Sequence, residues 1–138
     1  ILMMEHGPKG GDELNHIVAG DNYGWPAITY GVDYSGAVIS PYTEADGMKQ
    51  PLQYWVPSIG PSGLAIYRGK MFPELQGDLL IGSLINEEMR RLQLIGNEVT
   101  EDEAIFQEIK GRVRDVRVLS DGSIVALTDE GDVFHIYR

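Results

Sequence analysis

Cysteine is absent from the 138 residues. That excludes disulfides, thiolate metal sites and a cysteine nucleophile, but it leaves the redox compartment open, because many exported proteins also lack the residue. Positive charge is scarce as well. Eleven Lys and Arg stand against 21 Asp and Glu, a formal net charge of −10 with a sequence pI near 4.6. Such a balance repels phosphate backbones and anionic lipid headgroups, so nucleic acid and membrane are not expected partners. No stretch approaches the roughly 20 apolar residues of a membrane-spanning helix. Residues 1–5 are too short for a signal peptide and carry no basic leader. With 43% hydrophobic and 23% charged residues, collagen-like, coiled-coil and disordered classes are out, and one modest core is affordable. What the chain has in plenty is turn chemistry, since 17 Gly and 7 Pro cut it into many short elements.

The texture changes along the chain, and the 138 residues read as one domain with two regions. Residues 1–63 are dense in Gly, Pro, Asn, Asp and Tyr and predict long structured loops, with strands only at Leu14–Val18 and around Ala27–Tyr30. Residues 64–138 carry short β-type runs at even spacing. Leu64–Tyr67, Leu79–Leu84, Met89–Leu94 and Glu98–Ile105 are separated by Arg68-Gly69, Gln76-Gly77-Asp78 and Gly96-Asn97. Val113–Leu119, Ile124–Thr128 and Val133–Tyr137 follow, with Asp121-Gly122 and Glu130-Gly131-Asp132 between them. A helical reading of Asn86–Arg91 has no cap and sits among strands, so it is discounted. Four strands and then three more predict an all-β, antiparallel fold with one complete propeller blade and three-quarters of another. On pattern alone an all-β sandwich is the alternative, because it uses similar strands and turns.

Two segments are candidates for chemistry. His6-Gly7-Pro8-Lys9-Gly10-Gly11-Asp12-Glu13-Leu14-Asn15 is glycine-rich, Pro8 removes an amide donor, and Asp12, Glu13 and Asp21 add negative charge. Such an oxygen-rich surface suits a hard cation such as calcium. A solvated acidic turn has the same composition, and the ligand alternation of an EF-hand is missing. Arg112 and Arg114, at i and i+2 of a predicted strand, project to one face. Together they form a fork for carboxylates or phosphates, or else meet Asp115 or another carboxylate as surface ion pairs.

Other signals are weaker. His6, His16 and His135 fit no zinc spacing, and His135, between Phe134 and Ile136, reads as a partly buried structural residue. Pro61-Ser62-Gly63 is no nucleophile elbow, and Gly7–Gly11 is no phosphate loop. Trp25, Trp55 and the tyrosines can stack on a sugar, although aromatics in β proteins more often build the core.

Several words in fixed order carry a resemblance over most of the chain. They are Glu5-His6-Gly7-Pro8-Lys9-Gly10-Gly11-Asp12-Glu13-Leu14-Asn15, Asn22-Tyr23-Gly24-Trp25-Pro26, Tyr30-Gly31-Val32-Asp33-Tyr34 and Pro57-Ser58-Ile59-Gly60-Pro61-Ser62-Gly63. Further on come Gly77-Asp78-Leu79-Leu80-Ile81-Gly82-Ser83-Leu84, Arg112-Val113-Arg114-Asp115-Val116, Ser120-Asp121-Gly122 and Leu127-Thr128-Asp129. With them the chain resembles the soluble PQQ-dependent aldose sugar dehydrogenases of the glucose/sorbosone dehydrogenase family.

The resemblance implies a partial β-propeller, about two blades of a six-bladed fold, corresponding to the C-terminal part of longer proteins. It implies that the carbonyls of Gly7 and Pro8 are ligands of the calcium that holds PQQ. Glu13 and Tyr23 then help form a second, structural calcium site. Arg112 and Arg114 bind the tricarboxylate quinone, and Ser58 lies near it. The implied chemistry is hydride transfer from the anomeric carbon of an aldose to the quinone, with calcium polarising a quinone carbonyl and a histidine base taking the hydroxyl proton.

Two departures accompany it. The family's catalytic histidine lies in an N-terminal region outside this chain, so none of His6, His16 and His135 inherits its role, and the chain alone is expected to be inactive. A cofactor-contacting lysine that the family often has after the Ser-Leu pair matching Ser83-Leu84 is Ile85 here. The other reading is a non-catalytic remnant, possessing the fold and a calcium site. Exposed sheet edges predict pairing with other copies or with the missing N-terminal blades. The family's exported members imply a periplasmic or secreted protein.

Overall fold

A computed structural model describes residues 1–138. It has ten strands, a single 3₁₀ turn and no α-helix, and it divides into two compact units, Ile1–Gly60 and Pro61–Arg138.

The first unit is built on β1 (Leu2–Glu5), β2 (Asp12–His16) and β3 (Gln53–Trp55), an antiparallel sheet with β2 in the centre. Period-2 alternation puts Asp12 and the fully buried Leu14 on one face of β2 and Glu13 with Asn15 on the other, where Glu5 stands opposite Glu13 in register. β2 ends two residues before the expected Val18. The cause is Tyr23, whose hydroxyl donates to the His16 carbonyl and accepts the Val18 amide, both at 2.8 Å, which takes the chain out of the ladder.

The strand expected at Ala27–Tyr30 is absent. The amides of Ala27 and Ile28 both go to the Gly24 carbonyl at 2.7 and 3.1 Å, closing a turn that buries Ile28. β1 and β3 have no strand signal in the sequence, because Leu-Met-Met-Glu lacks β-branched residues and β3 has only three positions between Pro51 and Pro57. The long connection between β2 and β3 is tied down by bridges of Lys9 with Val32 and Asn22 with Met48.

The second unit follows the sequence closely. β4 (Pro61–Ile66), β5 (Leu79–Ser83), β6 (Glu88–Ile95) and β7 (Glu98–Ile105) form a four-stranded antiparallel meander in chain order. β8 (Val113–Val118), β9 (Ile124–Thr128) and β10 (Val133–Ile136) form a three-stranded one. This is the complete blade and the incomplete blade that the spacing predicts. Every residue of β5 is buried, as befits a central strand covered on both faces. The core gathers Tyr67, Leu80, Met89, Val116 and Ile124 from both sheets, each large apolar side chain contributing about 1.5–3 kcal/mol by burial. Tyr67 is fully buried, donating to the Gly122 carbonyl at 2.7 Å and accepting the Phe72 amide at 2.9 Å. β7 carries Glu98, Glu101, Asp102 and Glu103, a charged edge that discourages further pairing.

Candidate functional site

In the first unit, the Gly7–Gly11 loop joins β1 to β2, and its amides are spent inside the fold. The Gly7 amide donates to Asp12 Oδ1 at 2.9 Å, Lys9 to the Val32 carbonyl at 3.1 Å, Gly10 to Ser58 Oγ at 3.0 Å and Gly11 to the Trp55 carbonyl at 2.8 Å. Pro8 has no amide to give. What the loop has left at Gly7 and Pro8 is carbonyl oxygen, the ligand type a hard cation takes. Only glycine fits at position 7, because a Cβ there would stand 2.1 Å from the Gly10 carbonyl oxygen.

The loop is organised by Asp12, which in the sequence is one of several acids around it. Its carboxylate is 1% exposed and accepts four hydrogen bonds, from Gly7 N and Ser58 Oγ on Oδ1 and from Ile59 N and Gly60 N on Oδ2 at 2.9 and 2.8 Å. No local pattern announces this, because its partners lie up to 48 residues away. Ser58 is therefore engaged at both ends of its hydroxyl, accepting from Gly10 and donating to Asp12.

Glu5, Gly7, Pro8, Glu13, Tyr23 and Trp25 are among the residues lining a cleft of about 380 Å³ in this unit. The predicted calcium residues Gly7, Pro8, Glu13 and Tyr23 thus share one concavity. Burial raises the Glu13 carboxyl above its usual pKa, the hydrogen bond from Asn15 pulls it back, and the charge of Glu5 pushes it up again. The Tyr23 phenol is occupied by His16 and Val18. No three His, Cys, Asp or Glu side chains converge anywhere in the chain, so a cation here would rely on carbonyl and amide oxygens beside carboxylates. His6 also lines the cleft.

In the second unit, Arg112 immediately precedes β8 and Arg114 lies within it, across an irregularity between Val113 and Asp115. Both reach the same carboxylate. Arg112 Nε donates to Asp129 Oδ2 at 3.1 Å, and Arg114 grips Asp129 through Nε at 2.7 Å and Nη2 at 2.8 Å. Arg112 Nη1 also donates to the Leu84 carbonyl at 3.2 Å. These bonds, Arg114 first, hold the Asp129 carboxyl down at about 2. The ion-pair alternative is realised with Asp129, while Asp115 pairs with Arg117. A second carboxylate stands beside them, Glu130 accepting the Arg112 amide at 3.2 Å, and Asp129 fixes the planes of the two guanidinium groups.

His135 departs from expectation. It is exposed, on the face of β10 opposite the half-buried Phe134 and Ile136, and its Nε2 lies 2.9 Å from Ser123 Oγ.

The family model for glucose/sorbosone dehydrogenases matches residues 1–138. The chain belongs to that family. It is 43% identical over 133 residues to the aldose sugar dehydrogenase YliI of Escherichia coli, covering 94% of this chain and 36% of that protein. The apo-form crystal structure of the E. coli soluble aldose sugar dehydrogenase superposes with a TM-score of 0.89 at 39% identity, over 99% of this chain and 40% of that one. The PQQ-bound form of the Streptomyces coelicolor aldose sugar dehydrogenase shares the fold, with a TM-score of 0.70 at 24% identity over 99% of this chain and 39% of that one. The chain thus spans little more than a third of the length of these relatives, and its all-β architecture is that of a partial propeller.

Proposed function

We propose that the protein contributes to a PQQ- and calcium-dependent quinoprotein that oxidises aldoses at the anomeric carbon. The family match along all 138 residues carries this reading. PQQ, which the Streptomyces coelicolor relative binds, would supply an ortho-quinone that accepts hydride from the sugar. In the second unit, Arg112 and Arg114 receive carboxylates of the quinone, with Asp129 holding their planes in position. In the first unit, Gly7 and Pro8 offer carbonyl oxygens to calcium, and Glu13 with Tyr23 belongs to a structural calcium site. Ser58 orders the loop behind these carbonyls through Gly10 and Asp12. The general base comes from outside residues 1–138, and the compartment is the periplasm or the exterior.

Reconstitution with PQQ and calcium, read by the absorbance of the bound quinone and by dye-linked oxidation of glucose, tests the proposal. A spectral shift that Arg114→Ala abolishes is expected. No shift in the unaltered protein overturns the cofactor assignment. The free edge of β10, where Val133 is 67% exposed, takes a further strand from another copy or from more of the same protein. Light scattering showing a stable monomer of the 138 residues counts against the first of these sources.

A further inference from the structure

The chain has two Asp-Gly pairs, Asp46-Gly47 and Asp121-Gly122, and no Asn-Gly pair. Asp-Gly is the chemically labile order, because glycine puts no side chain in the way of its own amide nitrogen when that nitrogen attacks the neighbouring carboxyl. The surroundings of the two pairs differ. Asp46 and Gly47 form the exposed corner of a turn that the Met48 amide closes on the Ala45 carbonyl at 3.1 Å. That bond leaves the Gly47 amide outside it, and neither a side chain nor an amide engages the Asp46 carboxylate. Space beside Gly47 is open, since a Cβ there would meet nothing within 4 Å.

Asp121-Gly122 is guarded on both sides of the reacting bond. The Gly122 amide donates to the Leu119 carbonyl at 2.9 Å, and Gly122 is buried, with a Cβ there only 2.9 Å from the Met71 nitrogen. Asp121 Oδ1 accepts the Ser123 amide at 2.9 Å and the Ser123 hydroxyl at 2.7 Å. These two bonds hold the Asp121 carboxyl below its usual range and favour the ionised form, which resists attack by a nucleophile.

We propose that Asp46 is a site of spontaneous aspartate isomerisation and that the fold protects Asp121 from the same reaction. The Gly47 nitrogen bonds to Cγ of Asp46 and gives up its proton, the Cγ–OH bond breaks, and one water leaves as a succinimide closes. Water then adds back to either ring carbonyl. Breaking the new Cγ–N bond restores aspartate. Breaking the bond between the main-chain carbonyl and the nitrogen leaves isoaspartate, in which the main chain runs through Cγ and is longer by one methylene. No oxidant or co-reactant enters, and the net composition is unchanged. The lengthened turn runs straight into Met48 and Lys49, which tie this connection to Asn22 through a bridge and through the Lys49 amide on the Asn22 carbonyl at 2.8 Å.

Ageing the folded protein at physiological temperature and neutral pH, then labelling with an isoaspartyl methyltransferase and mapping peptides by mass spectrometry, tests this without recourse to activity. Label is expected on the peptide that carries Asp46 and not on the one that carries Asp121. Asp46→Glu, which would have to close a larger and slower-forming ring, is expected to lose the label. Asp46→Asn passes through the same succinimide with ammonia leaving, and is expected to gain label faster and to show the mass change of deamidation at that peptide. The same ageing in concentrated urea is expected to label both aspartates, because the bonds that guard Asp121 are then gone. No label at Asp46 in the folded protein overturns the inference. Equal label at Asp46 and Asp121 in the folded protein overturns the protection assigned to Ser123 and Leu119.

Discussion

The hydroxyl of Ser58 donates to Oδ1 of Asp12 at 3.0 Å, joining residues 46 positions apart. On the same carboxylate converge the amides of Gly7, Ile59 and Gly60, so one buried side chain stands in for the ladder bonds that the loop cannot make. Asp12→Ala leaves the Ile59 and Gly60 amides buried without acceptors at about 1–3 kcal/mol each. The variant is expected to lose several kcal/mol, and Ser58→Ala about 1–3 kcal/mol. Trp25 and Trp55, the two tryptophans, both belong to the first unit, so urea unfolding followed by tryptophan fluorescence measures both losses. An Asp12→Ala midpoint equal to that of the unaltered protein would refute the role.

Acid stability follows from Asp129. Its carboxyl is held at about 2 in the fold against 3.8 for the free group, a depressed value. The sign is therefore that of an ordinary paired carboxylate: the contribution is fully present above about pH 4 and is lost as pH falls through about 2. Asp129→Asn is expected to flatten this limb of the stability curve, measured as urea midpoint against pH between 5 and 2. The limb does not vanish, because hydrogen bonds from Ser35 and Ser123 also hold Asp33 and Asp121 below their usual values. An unchanged slope in the variant would show that the arginine pair does not stabilise the native state through Asp129.

How much of this could be read from the chain depends on how local the cause is. The strands of the second unit are legible because alternation and hairpin glycines are local signals, and the core residues Leu80, Met89 and Ile124 lie where the pattern puts them. That Arg112 and Arg114 stand together is legible from their i, i+2 spacing, although Arg112 precedes β8 and an irregularity follows Val113, so a shared strand face is not what gathers them. Their common carboxylate is not legible, since Asp129 reaches them only through the pairing of β8 with β9. In the first unit, β1 and β3 exist because β2 offers both edges, and neither has a pattern of its own. Asp12 reads in sequence as one more surface acid, and only the return of the chain at Ile59 and Gly60 buries it. His135 misleads in the opposite direction, because apolar neighbours at i−1 and i+1 lie on the other face of the strand and say nothing of whether its own face is covered.

Ile85 provides the last test, because the resemblance implies a cofactor-contacting lysine at its position. It is 58% exposed and follows Leu84, whose carbonyl accepts Arg112 Nη1. A cation added at this position can extend from solvent without displacing core atoms. If PQQ binds at Arg112 as proposed, the ammonium would add one charge-assisted contact to a carboxylate of PQQ, worth about 1–3 kcal/mol, which is about a 5- to 150-fold gain in affinity. Ile85→Lys is therefore expected to bind PQQ more tightly, with Ile85→Met, similar in volume but uncharged, binding as the unaltered protein does. Titration of PQQ by absorbance in low salt and again in high salt separates charge from packing, because a gain that is electrostatic shrinks as screening rises. Equal affinities for the lysine and methionine variants would exclude position 85 from the cofactor's surroundings.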